Sequence, residues 1–263
     1  MARIVAPALR ALLTNLIDYA GMFPPASVSC DAALANYARY RNSDHAWMLR
    51  RFVIARAQLA TVPPSVDVPF TVLSDTDEPR ASAVETKGVV STTKPTYCEV
   101  PLEQLDEVRK AGSSLKVRTG GVTPEAIPSV ESVASSITAC ADRGLAFKAT
   151  AGLHHPLRSV HPLTYEADSA TAMMHGFINV FLGASFVWRD AQDNQNKRRE
   201  DGRLRSILAE TDPAAFRFDE RAHWRDHSLS AEEITEARRA FAHSFGSCSF
   251  EEPILDLQAF HLL

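Results

Sequence analysis

Two short apolar runs in this chain each carry a lysine and each close on glycine. The first run spans residues 115–121 (LKVRTGG) with Lys116 in second place, and the other spans residues 147–156 (FKATAGLHHP) with Lys148 in second place. A charge inside an apolar run is costly to bury unless it is paired or used. We therefore predict two adjacent strands of a parallel sheet, whose carboxyl ends form a functional site.

The composition is that of an ordinary globular protein. The chain has 263 residues, 45% hydrophobic and 23% charged, which suits one large α/β domain. Its net charge of −4 argues against nucleic acid as a partner. The four cysteines form no CxxC pair, which favours unpaired thiols in a reducing cytoplasm over a disulfide framework or a zinc site.

Neither a signal peptide nor a membrane span is predicted. The apolar residues at the N-terminus follow helical spacing and lead to no small-residue cleavage site. The apolar run 171–188 contains His175 and Asn179, so it is predicted to be a buried core helix. We therefore expect a cytoplasmic protein with no membrane partner.

Strand and helix patterns alternate along most of the chain. Strands are predicted over residues 51–55, 69–74, 81–87, 96–101, 115–119, 146–150 and 245–250, with a short extended piece over 18–25. Helices are predicted over residues 4–17, 29–41, 102–111, 129–144, 165–188, 203–210, 230–242 and 253–263. Residues 189–205 are predicted to be a solvated loop or helix end, and residues 213–228 an irregular insertion.

This rhythm predicts an α/β fold of the (β/α)8 TIM-barrel type, formed as a single domain over residues 1–263. One quarter of the barrel departs from the rhythm. Only six residues separate the strands 69–74 and 81–87, and only eight separate 81–87 from 96–101. A parallel crossover usually needs a dozen or more residues. We therefore expect the barrel to be irregular or shortened around residues 74–96.

Charged residues alternate with apolar ones on four of these strands. Because alternate strand residues share a face, apolar Val84, Val117, Phe147 and Ala149 would face the helices. The opposite face would then carry into the barrel the charged residues Glu85, Lys87, Glu99, Lys116, Arg118 and Lys148, with Thr150 beside Lys148. A buried ion-pair network is the competing interpretation. Convergence of so many charges favours a functional site, because uncompensated buried charge is expensive.

The run 148–152 resembles the lysine strand of class I aldolases of the deoxyribose-phosphate aldolase type. In that family, a lysine followed by small hydroxylic residues and glycine forms the Schiff base. The family's accessory lysine lies on the following strand, whereas Lys116 precedes Lys148 here. The whole chain also resembles a set of bacterial proteins of unassigned function. The shared stretches, which bring no activity with them, are residues 18–21, 118–121, 148–156 and 245–253.

The resulting hypothesis is a lyase, aldolase or isomerase without a cofactor. Lys148 would attack the carbonyl of a small anionic metabolite and form an imine, which requires a neutral lysine. Lys116 and Arg118 would hold the anion and lower the pKa of Lys148. Glu99 or Glu85 would move protons, and His154 at the strand end would assist. Thr150, Gly246 and Ser247 complete the predicted substrate-binding set.

Two alternatives stay open. A divalent metal held by Glu85, Glu99 and His154 would polarise a carbonyl without a covalent step. The chain could instead be a non-catalytic ligand-binding or scaffold protein whose charges are satisfied pairs. Either way the expected partner is a small molecule, and a homo-oligomer is left open.

Further expectations concern one loop, one cysteine and two histidines. The loop 246–249 could bind an anion through its backbone N–H groups, although Glu251 and Glu252 would repel phosphate. Cys248 is expected to be a buried structural thiol. His161 and His175 are expected to be structural.

Overall fold

A closed barrel of eight parallel strands forms the centre of the molecule in a computed structural model, which describes residues 5–192 and 201–263. The barrel order is β1-β13-β7-β6-β5-β4-β3-β2. The strands are β1 (Ile17–Tyr19), β2 (Leu49–Ala55), β3 (Phe70–Leu73), β4 (Ala81–Thr86), β5 (Thr96–Cys98), β6 (Ser114–Arg118), β7 (Phe147–Thr150), β8 (Ser159–Pro162), β9 (Thr171–Met174), β10 (Phe216–Phe218), β11 (Arg221–Trp224), β12 (His227–Ser230) and β13 (Ala242–Ser247). The predicted TIM-barrel fold is confirmed.

Helices surround the barrel. They are α1 (Pro7–Leu13), α2 (Cys30–Arg41), α3 (Arg56–Leu59), α4 (Leu105–Lys110), α5 (Val130–Asp142), α6 (Phe177–Gln192), α7 (Asp201–Ala209), α8 (Ala231–Ala240) and α9 (Glu251–Ala259). Several begin at the predicted caps. The hydroxyl of Ser129 accepts a hydrogen bond from the N–H of Ser132, and Ser230 forms a full capping box with Glu233. These polar caps fix where the helices begin.

The irregular quarter lies where it was predicted. The connections 74–80 and 87–95 are fully described, and neither contains a helix. Side-chain hydrogen bonds hold them at the rim, since Thr86 Oγ1 donates to Asp75 Oδ1 at 2.6 Å and Thr93 N donates to Asp77 Oδ1 at 2.8 Å. β3, β4 and β5 still pair in parallel. The barrel therefore closes with loops alone on this side.

The first predicted helix is wrong at its C-terminal end. Residues 4–17 do not form one helix, because α1 ends at Leu13 and the chain turns through Asn15 with a left-handed φ of 50°. β1 follows, and it closes the barrel by pairing with β2 on one side and β13 on the other. Asp18 therefore lies in the middle of a barrel strand.

The predicted helix over 165–188 is wrong in its first part. β8 and β9 form an antiparallel hairpin, and α6 begins only at Phe177. The preceding Gly176 packs closely against the backbone of Leu157. A Cβ added at Gly176 would be 2.4 Å from the carbonyl carbon of Leu157. From Phe177 to Phe186 every side chain is buried, as predicted for a core helix. Of the helices in the described ranges, none has the length and apolar character needed to cross a bilayer.

The segment 213–228 is also more regular than predicted. β10, β11 and β12 form a three-stranded antiparallel sheet beside the barrel. The charged segment 189–205 is helical where it is described, and residues 193–200 lie outside the described ranges. Because the predicted domain limits include residues outside those ranges, the single domain over residues 1–263 stays a prediction.

Candidate active site

A cavity of about 560 Å³ opens at the carboxyl ends of the barrel strands. Active sites of TIM barrels lie at this end, and a cavity of this size accommodates a small molecule. The predicted residues that line it are Glu85, Glu99, Lys116, Arg118, Thr150, His154 and Gly246. Lys148 and Ser247 are not among the lining residues, because both side chains are buried beneath the cavity wall.

Six charged side chains of alternating sign run from the barrel interior to the rim of this cavity. In order they are Asp18, Lys148, Glu85, Lys116, Glu99 and Arg118. Exposure of the side chain grows along the series, from 1% at Lys148 to 9% at Lys116 and 50% at Arg118. The predicted convergence of charge from successive strands is therefore present, and it forms one connected series.

Lys148 lies at the buried end of the series. Its Nζ is 2.6 Å from Asp18 Oδ2 and also donates to Glu85 Oε1. Burial alone lowers the pKa of Lys148, but the charges of Asp18 and Glu85 outweigh it, so the pKa is raised above its ordinary value. The expectation that Lys116 and Arg118 lower this pKa is wrong, because carboxylates are the groups in contact with the amine.

Asp18 anchors the same end. Its carboxylate accepts hydrogen bonds from the hydroxyl of Ser244 at 2.8 Å and from the N–H of Arg51 at 3.1 Å. Burial alone raises the pKa of Asp18, but the charges of Lys148 and the nearby arginines outweigh burial, so the net pKa is below its ordinary value. The pKa of Glu85 is lowered in the same way, against its burial, by Lys148 and Lys116. Both acids are thus held as carboxylates.

Lys116 is the lysine that reaches the cavity. Its Nζ is 2.8 Å from Glu85 Oε2 and 3.2 Å from Glu99 Oε2. Arg118 Nη2 in turn lies 2.7 Å from Glu99 Oε1. Burial raises the pKa of Glu99, but Lys116 and Arg118 outweigh it and lower the net pKa. An amine between two carboxylates has a proton acceptor on each side.

A second group of reactive side chains also lines the cavity. His154 Nε2 lies 3.8 Å from the thiol of Cys248, and His154 Nδ1 lies 2.8 Å from Glu252 Oε2. The hydroxyl of Tyr165 donates to the same Glu252 oxygen at 2.9 Å. A nucleophile, a histidine and an orienting carboxylate in contact are the arrangement of nucleophilic catalysis. Cys248 is buried as predicted, and it also contacts His154 and lines the cavity.

The imidazole of this group is charged over a wide pH range. Burial alone lowers the pKa of His154, but its contacts with Cys248 and Glu252 outweigh that effect and raise the pKa to about 9. At neutral pH the ring therefore carries a proton beside the thiol sulfur. A protonated imidazole beside a thiol is placed to act as a proton donor.

The other histidines near the mouth contact different partners. His155 Nδ1 lies 2.6 Å from Asp256 Oδ2, and its ring stacks on that of His161. His175 is fully buried, with Nε2 2.8 Å from the carbonyl oxygen of Pro128, which fits its predicted structural role. Neighbouring His154 and His155 therefore point to different acids.

The alternative metal site is not assembled. Glu85 and Glu99 contact Lys116, while His154 contacts Cys248 and Glu252. Among the residues that the structure describes, no three His, Cys, Asp or Glu side chains are placed to hold a metal ion. The predicted ligand set is therefore divided between two groups of side chains.

No model of a known protein family, no curated protein and no solved structure matches this chain. The similarity of its lysine strand to class I aldolases therefore stays a resemblance.

Four residues of the site were missed from the sequence: Asp18, Tyr165, Cys248 and Glu252. Asp18 carries the same signal as Lys148, a charge within an apolar run, but it was placed at the start of the extended piece 18–25 and not inside a strand. Cys248 and Glu252 lie 94 and 98 residues from His154 along the chain. Only the tertiary fold brings them together, so no local pattern reports them.

Local hydrogen bonds occupy part of the loop 246–249. Gly246 lines the cavity, and the side chain of Ser247 accepts a hydrogen bond from the N–H of Ser249 at 3.3 Å. The hydroxyl of Ser249 accepts from the N–H of Glu252 at 3.1 Å. The N–H of Ser249 is therefore used locally, and anion binding by the rest of the loop stays a prediction.

Proposed function

We propose that this protein is an enzyme that forms an imine between Lys116 and a small anionic carbonyl compound, and then cleaves or isomerises that compound. The observation that carries the proposal is that the amine of Lys116 lines the cavity while lying between Glu85 and Glu99. Lys148, the nucleophile favoured by the sequence, is better suited to a supporting role because both of its acid partners keep it charged and buried.

The order of the two lysines supports this assignment. In the aldolases that the chain resembles, the accessory lysine lies on the strand after the reactive one. Lys116 on β6 followed by Lys148 on β7 has that order, with the roles exchanged relative to the prediction from sequence. In this assignment the charge of Lys148 keeps the neighbouring Glu85 carboxylate ionised.

The chemistry balances with the groups at hand. Lys116 first transfers a proton to Glu85 or Glu99, and its free amine attacks the substrate carbonyl carbon. The carbonyl oxygen takes up protons and leaves as water, which gives a cationic imine. That cation accepts the electron pair of the neighbouring C–C or C–H bond as the bond breaks. A carboxylic acid returns a proton to carbon, and water then hydrolyses the imine.

Arg118 is placed to hold the anionic group of the substrate. Its guanidinium is half exposed at the rim and contacts Glu99 on only one side. The planar fork of an arginine binds carboxylate or phosphate with two parallel hydrogen bonds. We expect the substrate anion at the rim and its carbonyl near Lys116, with Thr150 and Gly246 along the wall.

Reductive trapping tests the proposal. Pyruvate, glyoxylate and dihydroxyacetone phosphate serve as probes, each added with borohydride to the full-length protein. We expect a mass increase on the peptide that carries Lys116, and none in Lys116→Arg. The exposed Lys110→Arg provides the matched control and should be trapped normally. A covalent adduct on Lys148, or one that persists in Lys116→Arg, would contradict the assignment.

A second candidate function rests on the contacts of Cys248, His154 and Glu252. In this case the thiolate attacks an ester or thioester carbonyl, the leaving group departs with a proton from His154, and water releases the acid. Cys248→Ser would abolish such turnover while leaving imine trapping at Lys116 intact. A non-catalytic ligand-binding protein would bind the probes with neither an adduct nor turnover.

A further inference from the structure

A second large cavity lies at the opposite end of the barrel. Its volume is about 600 Å³, and the basic side chains that line it are Arg50, Arg51, Arg238, Arg239 and His243. Arg50 and Arg51 are the second and third residues of β2, and His243 is the second residue of β13. The cavity is therefore at the amino ends of the parallel strands, separate from the mouth.

The charge of this basic cavity is not compensated. Among the described residues, those that line it include four arginines and no carboxylate. Arg239 has an acidic contact only at the surface, where its Nη2 lies 3.7 Å from Glu236 Oε1. Asp18 is the acid whose charge acts on Arg50 and Arg51, but its carboxylate is already in contact with Lys148. A cluster of like charges without a counter-charge is unfavourable in a partly buried site.

Two arginines that line the cavity each have a donor without a partner. Arg50 Nη1 and Arg51 Nη1 are buried, and neither has a hydrogen-bond partner in the described part of the chain. Buried polar groups in proteins are nearly always hydrogen-bonded, so each exception calls for an explanation. A bound acceptor would satisfy both guanidinium groups.

Arg238 supports the cavity from within. It is 8% exposed, and it donates to the carbonyl oxygens of Leu12 at 2.9 Å and His243 at 2.7 Å. Burial, with the nearby charge of Arg50, lowers the pKa of Arg238 to about 9. Burial together with these arginines lowers the pKa of His243 to about 4, so that ring is neutral and contacts the hydroxyl of Tyr97. The local field is therefore strongly positive.

We infer that the basic cavity binds a small multivalent oxyanion of the phosphate or sulfate type. Arginine presents several N–H donors in a fixed fork that matches such an anion, and Arg50 and Arg51 have donors free for it. The size of the cavity also admits an anion attached to a small organic group. This binding site is independent of imine chemistry at the mouth.

Thermal unfolding of the full-length protein tests the inference. Sodium phosphate should raise Tm by about 2–4 °C over sodium chloride of equal ionic strength, at concentrations several times the dissociation constant. The double variant Arg50→Gln/Arg51→Gln should lose this rise, with phosphate affinity weaker by at least about tenfold. Without phosphate it should be about as stable as the natural chain, because relief of the repulsion among the arginines offsets the lost attraction to Asp18.

Two further variants locate the anion. Arg109→Gln, on the exposed face of α4, should respond to phosphate like the natural chain. Arg118→Gln should also respond, because Arg118 belongs to the mouth. A Tm rise that persists in the double variant, or one that disappears in Arg118→Gln, would overturn the inference. So would a double variant that unfolds more readily without phosphate, because Arg50 and Arg51 would then be structural.

Calorimetric titration distinguishes the form of the anion. Inorganic phosphate, sulfate and glycerol phosphate are titrated separately into the natural chain and the double variant. Binding of all three that is lost in the double variant supports a site that admits an organic substituent. Binding of the two inorganic ions alone supports a site for the free anion. Heat of binding that is equal in both proteins contradicts the site.

Discussion

Lys116 and Lys148 are register partners on the neighbouring parallel strands β6 and β7, yet only Lys116 reaches the cavity. Glu85 lies between the two amines, with one carboxylate oxygen in contact with each. Asp18 is the second acid beside Lys148 at the buried end, and Glu99 takes the corresponding place beside Lys116 nearer the cavity. Two lysines in equivalent strand positions therefore have different surroundings. The amine of Lys148 is buried and paired, whereas the amine of Lys116 lies at the cavity, where a ligand can reach it.

Removal of Lys148 should destabilise the barrel. Lys148→Met leaves Asp18 and Glu85 buried without their shared cation, which should cost about 3–5 kcal/mol of unfolding free energy at neutral pH. In the natural chain the lowered pKa values of both acids provide stability that is present above their ordinary pKa and lost as pH falls through the folded values. The variant should therefore lose less at pH 4 than at pH 7, measured by urea unfolding. Exposed Lys110→Met is the control, and an equal loss for both would refute the buried pairing.

The stability of the protein should fall in mildly alkaline solution because of His154. Its folded pKa of about 9 lies above the ordinary histidine value. The contribution is therefore fully present below about pH 6.5 and is lost as pH rises through 9, up to roughly 3 kcal/mol. Urea unfolding of the natural chain between pH 6 and 10 should show this decline, and His154→Gln should flatten it. A profile unchanged by His154→Gln but altered by exposed His261→Gln would contradict this explanation.

Cys248 should be the most reactive of the buried thiols. Its side chain lines the cavity beside protonated His154, whereas burial raises the pKa of Cys98 and raises that of Cys140 to about 12. In a Cys30→Ser background, iodoacetamide should add one group, which mass spectrometry locates on Cys248. His154→Gln should slow this addition at least about tenfold. Labelling of Cys140 at the same rate would mean that unfolding, and not the cavity, exposes the thiols.

Gly152 should not tolerate alanine. Its φ is +73°, and an added Cβ would lie 2.7 Å from the Cα of Gly120 on the neighbouring strand end. Strain and overlap together should destabilise Gly152→Ala by about 2–4 kcal/mol. Gly88→Ala is the control, since its Cβ would meet nothing within 4 Å and should change stability by no more than about 1 kcal/mol. Equal thermal stability of the two variants would contradict the close approach.

The sequence predicted the barrel because its strands carry strong local signals. Lys116 and Lys148 interrupt apolar runs, Ser129 and Ser230 mark helix starts, and glycines follow the strands. The two-residue period of a strand alone predicted that the charged residues face the barrel interior. Those features depend on neighbours in the chain, so they can be read without the fold.

The missed features depend on contacts between distant residues. Asp18 is part of the site because the chain turns through the left-handed Asn15 after α1 and enters β1 between β2 and β13. β8 and β9 pair as a hairpin. The apolar residues of this hairpin run on into those of α6, so the sequence pattern predicted one continuous helix. The partners of Lys148 likewise come from β1 and β4, so the sign of its pKa shift could not be derived from Lys116 and Arg118.

The closure of β1 against β13 has a consequence for synthesis of the chain on the ribosome. β1 is made first, but its partner residues Phe245 to Ser247 emerge only near the end. Until then one edge of β1 has no strand to pair with, and Asp18 lacks the hydroxyl of Ser244. An unpaired strand edge is prone to associate with other chains. Truncated or stalled products that end before residue 242 should therefore aggregate and depend on chaperones, even though most of the barrel strands are already present.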